Sequence, residues 1–366
     1  MSLAPPLSPP SGAPEIGWPA GAQGVRRRRR LDRWITAVPA VTATFLSKLS
    51  IAPFGAMGLS LAVPMLCATG ALGLLLGRMV ADVRRLLAFI ALLALLWGMQ
   101  VLRNEVFSVS SLMLFTLLHF PYVLRMRRTP DYRHVLAFFQ GVAVTIAVLG
   151  LVQYAMQFLV GPTLAFPIEN FFPEAFKVSK FNMQGYLEYG SEVYRTNGVF
   201  MLEPSFFSQL LAVAVVLEAV TRRRPWVLVV LLAAMAVSYS GTGLMLLGAC
   251  LPCLAVARRR WDWLLAGALL IALALLGAET IDNPYVNVFL KRAGEFTEPG
   301  SSGFERFVGG FYVFGQLLWP QPWRGLFGFG AGALQLYETK AYWPFGSNAV
   351  FKMVFEFGLV GGLAYF

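Results

Sequence analysis

Tyr194–Ser208 joins an arginine, Arg195, to a glutamate, Glu203, at the edge of a hydrophobic segment that opens with Pro204. A guanidinium is the natural bidentate partner of a phosphate, and a carboxylate can take a proton from a hydroxyl. Glu203 therefore suggests proton transfer or orientation of a reacting group. Its alternative is structural: Pro204 suits a first helical turn, which puts Glu203 at or beside the N-cap, where a carboxylate can accept backbone N–H groups. For Arg195 the alternative is an ion pair with Glu188 or Glu192. A second long polar stretch adds Lys291, Arg292 and Arg306, with Glu295 and Glu305 near enough in sequence to neutralise them. Arginines on separate loops suggest an anionic ligand, and a pyrophosphate suits such a cluster.

Other candidates are weaker. Cys250 and Cys253 have redox-motif spacing but fall in an apolar run, where small apolar filler is the better reading. Leu326–Gly332 is glycine-rich yet follows no strand of a nucleotide fold, so a tight aromatic–glycine turn is expected there. The Ser238–Gly243 stretch reads as a short turn between helices. His119 and His134 have no metal-ligand spacing to anything, and no metal site or cofactor is expected.

The elements that must position these residues are helices in a membrane. The chain is 57% hydrophobic and 13% charged over 366 residues, with a mean hydropathy of +0.63. A soluble domain carries about a quarter charged residues. Apolar runs of spanning length recur from end to end, without the alternation of a transmembrane barrel. The expected fold is an all-α polytopic membrane protein with about ten transmembrane helices: Trp34–Ser50, Ala56–Gly77, Leu86–Leu102, Val109–Leu124, His134–Leu159, Pro204–Val220, Trp226–Ser240, Leu244–Ala257, Trp261–Ala278 and Ser347–Phe366.

The net charge of +11 comes from clusters between these runs: Arg26–Arg30, Arg84–Arg85, Arg125–Arg128, Arg222–Arg224 and Arg258–Arg260. Placing residues 1–33 inside as a disordered, basic cytoplasmic tail puts every cluster inside, as the positive-inside rule requires. Nucleic-acid binding is excluded, because no basic surface interleaved with aromatics exists. Residues 34–366 then form one transmembrane domain, with long extracytoplasmic loops at 160–203 and 279–346. Its C-terminal end, without a basic tail, suggests an incomplete chain.

Three separated motifs resemble the O-antigen ligase/polymerase superfamily of bacterial inner-membrane glycosyltransferases. Arg195-Thr-Asn-Gly-Val-Phe-Met-Leu-Glu203-Pro204-Ser205 is similar to its Arg-x-x-Gly-x-Phe…Glu-Pro-Ser segment. Ser302…Arg306, an aromatic stretch and Gly328-Phe-Gly330 follow its Ser…Arg…Gly-x-Gly order. Ser347-Asn348…Glu356-Phe-Gly358-Leu-Val-Gly361 is similar to a helix that usually opens with His-Asn. The resemblance covers most of Leu46–Phe366. Ser347 departs from it, since the family's histidine is implicated in activating the acceptor in ligases; the balance shifts to a polymerase.

The resemblance implies a metal-independent, cofactor-free polymerisation of oligosaccharide repeats linked to undecaprenyl diphosphate, at the outer face of the inner membrane, in exopolysaccharide or O-antigen synthesis. It implies Glu203, Arg195 and Arg306 as catalytic residues and Arg292, Ser205, Ser347 and Asn348 as substrate-binding ones. Membrane lipids and other polysaccharide-assembly proteins are the implied partners. A ligase, a lipid-linked sugar flippase and a non-enzymatic assembly partner are the alternatives. A transporter would place charges at the midplane on broken helices with internal repeats; here the polar groups collect on one face.

Overall fold

The structure, a computed structural model, describes residues 19–51, 59–102, 106–129, 131–178, 184–187, 191–259, 301–338 and 348–366, together with 181, 261, 294 and 297–299. Helix dominates. In the first half lie α1 (Pro19–Phe45), α2 (Ala62–Leu75), α3 (Val83–Leu102), α4 (Val109–His119) and α5 (Tyr132–Leu159). Short α6 (Pro162–Ala165) and α7 (Pro167–Phe171) precede α8 (Pro204–Thr221), α9 (Pro225–Val237) and α10 (Gly241–Arg258). Then come α11 (Ser302–Phe307), α12 (Gly309–Val313) running into a π-turn at Phe314–Leu318, α13 (Pro322–Phe327), α14 (Ala333–Glu338) and α15 (Ala349–Tyr365). Two small antiparallel pairs staple loops: β1 (Ser50–Ile51) with β2 (Leu59–Ser60), and β3 (Met79–Ala81) with β4 (Leu124–Met126).

Among the described residues, three helices are long and apolar enough to cross a membrane: Val83–Val101, Tyr132–Leu159 and Pro204–Thr221. Ala62–Leu75, Val109–Val123, Pro225–Val237 and Gly241–Ala257 are apolar but shorter. The described residues thus show a helical protein with candidate spans but do not establish all ten expected ones; the run expected as Val109–Leu124, for example, turns 3-10 at Phe120–Val123. The expected helix Trp261–Ala278 lies outside the described residues save Trp261. α1 begins at Pro19, within the stretch expected to be a disordered tail; a run of arginines has good helix propensity and extends the helix outward. The two stretches expected as long loops contain helices α6 and α7, and α11 to α14.

One core lies where α5, α8 and α9 meet. Ala143, Ile146 and Ala147 of α5 pack on Phe207, Leu211 and Ala214 of α8, and Val227, Leu231 and Ala234 of α9 close the cluster. Small residues let these backbones approach in an apolar medium that gives no hydrophobic driving force between helices. A second core is aromatic: Phe314, Phe329, Phe351 and Phe355, with the Phe329 and Phe355 rings stacked at 4.7 Å.

That second core is built on a broken helix. α15 is interrupted at Gly358, with φ 64° and ψ −169°. The interruption leaves carbonyls unsatisfied, and the glycine-rich turn after α13 answers them: Phe329 N donates to Phe355 O at 3.0 Å and Gly330 N to Glu356 O at 2.9 Å. The same turn pairs on its other side, with Val106 N on Phe329 O at 3.3 Å and Ser108 N on Ala331 O at 3.0 Å. Gln100 of α3 accepts from Ala331 N at 2.9 Å. Non-helical backbone at this depth is tolerated only when such partners exist. Gly330 (φ 106°) is needed for the close approach, since a Cβ there would lie 2.0 Å from Val106 O.

Gly330→Ala is therefore expected to lower stability by about 1–3 kcal/mol from left-handed strain alone, with the clash adding to it. Gly248→Ala, in α10 where a Cβ meets nothing within 4 Å, should be neutral or stabilising by about 0.5–1 kcal/mol. Thermal unfolding of the two variants in detergent checks this; equal losses would contradict the three-way crossing.

Candidate functional site

The stretch before α8 is held by side chains of α5. Gln153 and Gln157 are four residues apart and share one helix face. Gln157 brackets Tyr194, its Oε1 accepting from Tyr194 N at 2.8 Å and its Nε2 donating to Tyr194 O at 3.0 Å. Gln153 Oε1 accepts from Asn197 N at 3.1 Å and Val199 N at 3.2 Å, while its Nε2 donates to Asn197 Oδ1 at 3.1 Å. Thr196 hooks onto the end of α9, its hydroxyl donating to Val237 O at 3.0 Å. The segment thus runs as irregular backbone with its amides satisfied by buried amide side chains.

Arg195 faces a short strand-like partner. Its backbone N donates to Gly185 O at 2.9 Å and its Nη2 to Leu187 O at 3.2 Å. Tyr194, beside it, packs against Tyr186 with tilted rings, their centroids 4.6 Å apart. The hydrogen bond to Tyr186, and then burial, push the Tyr194 phenol up to about 12.

Glu203 is the N-cap residue of α8 by position, with φ −142° and ψ 161°, but its carboxylate makes no capping hydrogen bond. This corrects the capping alternative: a cap would accept from the N–H of Ser205 or Phe206, and the carboxylate turns instead to a side-chain hydroxyl and a guanidinium. Its Oε2 accepts from Ser205 Oγ at 2.9 Å and from Arg306 Nη2 at 2.7 Å. Glu203 is only 7% exposed, and the Arg306 side chain 32%. The pair is charge-assisted and half-shielded, at the rim of the protein interior.

Arg306 comes from the last turn of α11, a helix capped by Ser301 Oγ accepting from Phe304 N at 3.1 Å. Asn348 fixes that turn from the other side. Its Nδ2 donates to the Arg306 carbonyl, while its Oδ1 caps α15 by accepting from Phe351 N at 2.8 Å. Glu203, Ser205, Arg306 and Asn348 are therefore brought together from α8, α11 and α15. The described contacts of Arg195 are to Gly185 and Leu187. Arg292, Ser347 and the alternative partner Glu188 lie outside the described residues.

Hydroxyls extend the site. Ser208 Oγ donates to Ser205 O at 2.9 Å, lies 3.2 Å from Thr242 Oγ1, and accepts from Gly243 N at 3.1 Å. Ser240 Oγ is 2.9 Å from Thr242 Oγ1. The Ser238–Gly243 turn, read from sequence as a plain connection, thus abuts the start of α8. Gln153, Gln157, Asn197, Ser208 and Thr242 escaped the sequence reading. The two glutamines left a signal as polar residues four apart in an apolar run, while Asn197, Ser208 and Thr242 lay within stretches singled out for other reasons. Among the described residues no group of three His, Cys, Asp or Glu side chains is arranged to hold a metal.

No curated protein and no solved structure matches the chain. A family model described as WcaD colanic acid polymerase matches residues 38–365, nearly the whole length. That span includes Gln153 and Gln157, the Arg195–Ser205 segment, Arg306 and Asn348. The chain belongs to the WcaD colanic acid polymerase family, a Wzy-type family of O-antigen and exopolysaccharide polymerases.

Proposed function

We propose that this membrane polymerase transfers a growing glycan from undecaprenyl diphosphate to the non-reducing end of a second lipid-linked repeat, at the outer face of the bacterial inner membrane and without a metal ion. The family makes the chain a polymerase of exopolysaccharide repeats with a lipid-linked oligosaccharide substrate; the carrier, the face and the residue roles are our reading. The observation that carries it is the Glu203–Arg306 contact at 2.7 Å, with Ser205 on the same carboxylate oxygen.

A guanidinium that holds a carboxylate can exchange it for a phosphate oxygen, because both are anionic forks of similar geometry. Donor binding would draw Arg306 onto the diphosphate, with Arg195 and Arg292 as further ligands. Glu203 would then be released beside the acceptor. In the transfer the acceptor oxygen forms a bond to the anomeric carbon and the carbon–oxygen bond to the diphosphate breaks, with its electron pair staying on the phosphate oxygen. The acceptor proton passes to Glu203, and the charge that develops on the diphosphate falls on the arginines. Ser205 orients the carboxylate, Asn348 holds the Arg306 turn, and acceptor binding by Ser347 is what the family resemblance implies.

Sidedness has support in how charge divides along the helices. α5, at about 1.5 Å per residue roughly 42 Å long, begins next to Arg127 and Arg128 and ends near the Tyr194 bracket. Arg78, paired bidentately with Asp32, sits at the arginine end. α8 runs the opposite way, from Glu203 to Arg222–Arg224. The site and the arginine clusters are thus at opposite ends of the same helices, as an inside basic face and an outside site require.

Glu203→Gln and Arg195→Ala are each expected to reduce polymer formation about 10²-fold or more in membranes of a strain lacking the native gene, leaving single repeats on the carrier. Full-length polymer from both would overturn the assignment. Ser205→Ala, which removes one neutral hydrogen bond, should cost about tenfold or less in the same chain-length assay; a loss equal to that of Glu203→Gln would contradict an orienting role.

A further inference from the structure

Against the Arg195–Glu203 segment lies a second ion pair, made by residues other than those of the Glu203–Arg306 contact. Lys48, just past α1, has a side chain with 0% exposure, and that of Glu169 on α7 has 5%. The Lys48 ammonium is bonded to Glu169 Oε1 and donates to the Val199 carbonyl at 2.5 Å. Asn197 Nδ2 donates to the same glutamate oxygen at 2.8 Å. Glu169 Oε2 is buried without a hydrogen-bond partner, so the carboxylate is satisfied on one oxygen alone. Lys177 closes the cluster, donating to the Glu169 carbonyl at 2.8 Å and pairing with Glu174 at 2.6 Å. Ser47 adds a bond to Phe200 O at 3.2 Å.

Burying such a pair is a poor way to gain stability, since desolvation offsets most of the attraction and apolar replacements are often neutral. What the pair does geometrically is more specific. Val199 has φ 68° and follows Gly198 at φ 66°. A β-branched residue in the left-handed region is a genuine outlier that persists only where surrounding bonds over-determine it. Those bonds are Lys48 on its carbonyl and Gln153 on its amide. Val199 stands four residues after Arg195 and four before Glu203, so its turn sets how the two are presented to each other.

We propose that Lys48 is a positioning residue: with Glu169 and Asn197 it locks the left-handed Gly198–Val199 turn and thereby holds Arg195 and Glu203 in register for transfer. The proposal rests on the reading of Arg195 and Glu203 as the reacting site, and the test separates the two. It uses the full chain, with hydrogen exchange in detergent and polymer length in the deletion strain. Lys48→Met, and the double variant Lys48→Met/Glu169→Gln that leaves no unpaired buried charge should the single one misfold, are expected to speed amide exchange across 195–201 about tenfold or more while α5 and α8 stay protected. Polymer output should fall about tenfold or more with them. Lys48→Arg, which keeps both the charge and the donor to Val199, should restore exchange and polymer together; a purely space-filling role would not be rescued by the bulkier guanidinium. Wild-type exchange in the double variant, or an opened turn with full-length polymer, would overturn the proposal. Glu203→Gln should lose polymer with unchanged exchange; full polymer there would sink the proton-transfer reading while the exchange and polymer of the Lys48 variants still decide the anchor.

Discussion

Within an apolar medium an unpaired amide or carboxylate costs several kcal/mol, and no water is at hand to relieve it. The architecture follows from that constraint. At two places among the described residues the backbone leaves the helix beside a partner able to complete it. Gln153 and Gln157 supply α5 amides to the irregular stretch before α8. The glycine turn at 328–332 supplies N–H groups to the broken α15, and its own Phe329 and Ala331 carbonyls accept the N–H groups of Val106 and Ser108. These two crossings lie on either side of the Glu203–Arg306 contact in the chain, and each delivers one of the elements that frame it. α8 starts where the first ends, and Asn348, at the head of the broken helix, grips the Arg306 carbonyl.

The same constraint makes the charges informative. Glu218 at the far end of α8 is fully buried and is held by the Arg224 fork, with both contacts at 2.9 Å; both its oxygens are engaged by one neighbour from the adjoining turn. Glu203 at the near end is bonded instead to a residue more than a hundred positions away, on a separate short helix, whose guanidinium retains about a third of its exposure. The two arginines are about equally exposed, 32% for Arg306 and 34% for Arg224, so what differs is engagement: the Arg224 fork takes both Glu218 oxygens from the adjoining turn, whereas Arg306 reaches Glu203 Oε2 from a separate helix through Nη2. That difference is why we propose Glu203, and not Glu218, as the reacting carboxylate.

Much of this was legible in the sequence. Helix existence followed from apolar runs, and α5 and α8 fall within a residue or two of their expected limits, because Asp131 and Pro204 mark their starts. Pro204 also pointed to Glu203 as the residue at the helix boundary. What the sequence did not disclose is where the carboxylate points, since a cap and an ion pair share the same local pattern and the deciding partner, Arg306, is distant in the chain. The Lys48–Glu169 pair was hidden for a similar reason: hydropathy treats Lys48 as the tail of an apolar run, and only the folded contact with α7 shows why a charge is tolerated there. Glycines 328 to 332 looked like a turn and are one, but their role depends on a break in α15 that no local signal announces apart from Gly358 itself.

The central claim is that Glu203 and Arg306 act as one unit. A double-mutant cycle on polymer formation tests it most directly, with Glu203→Gln, Arg306→Gln and the double variant assayed at matched protein levels in membranes. The account predicts strong non-additivity, the double variant being no more than about threefold worse than the poorer single one. Losses that multiply, as for two independent sites, would contradict it.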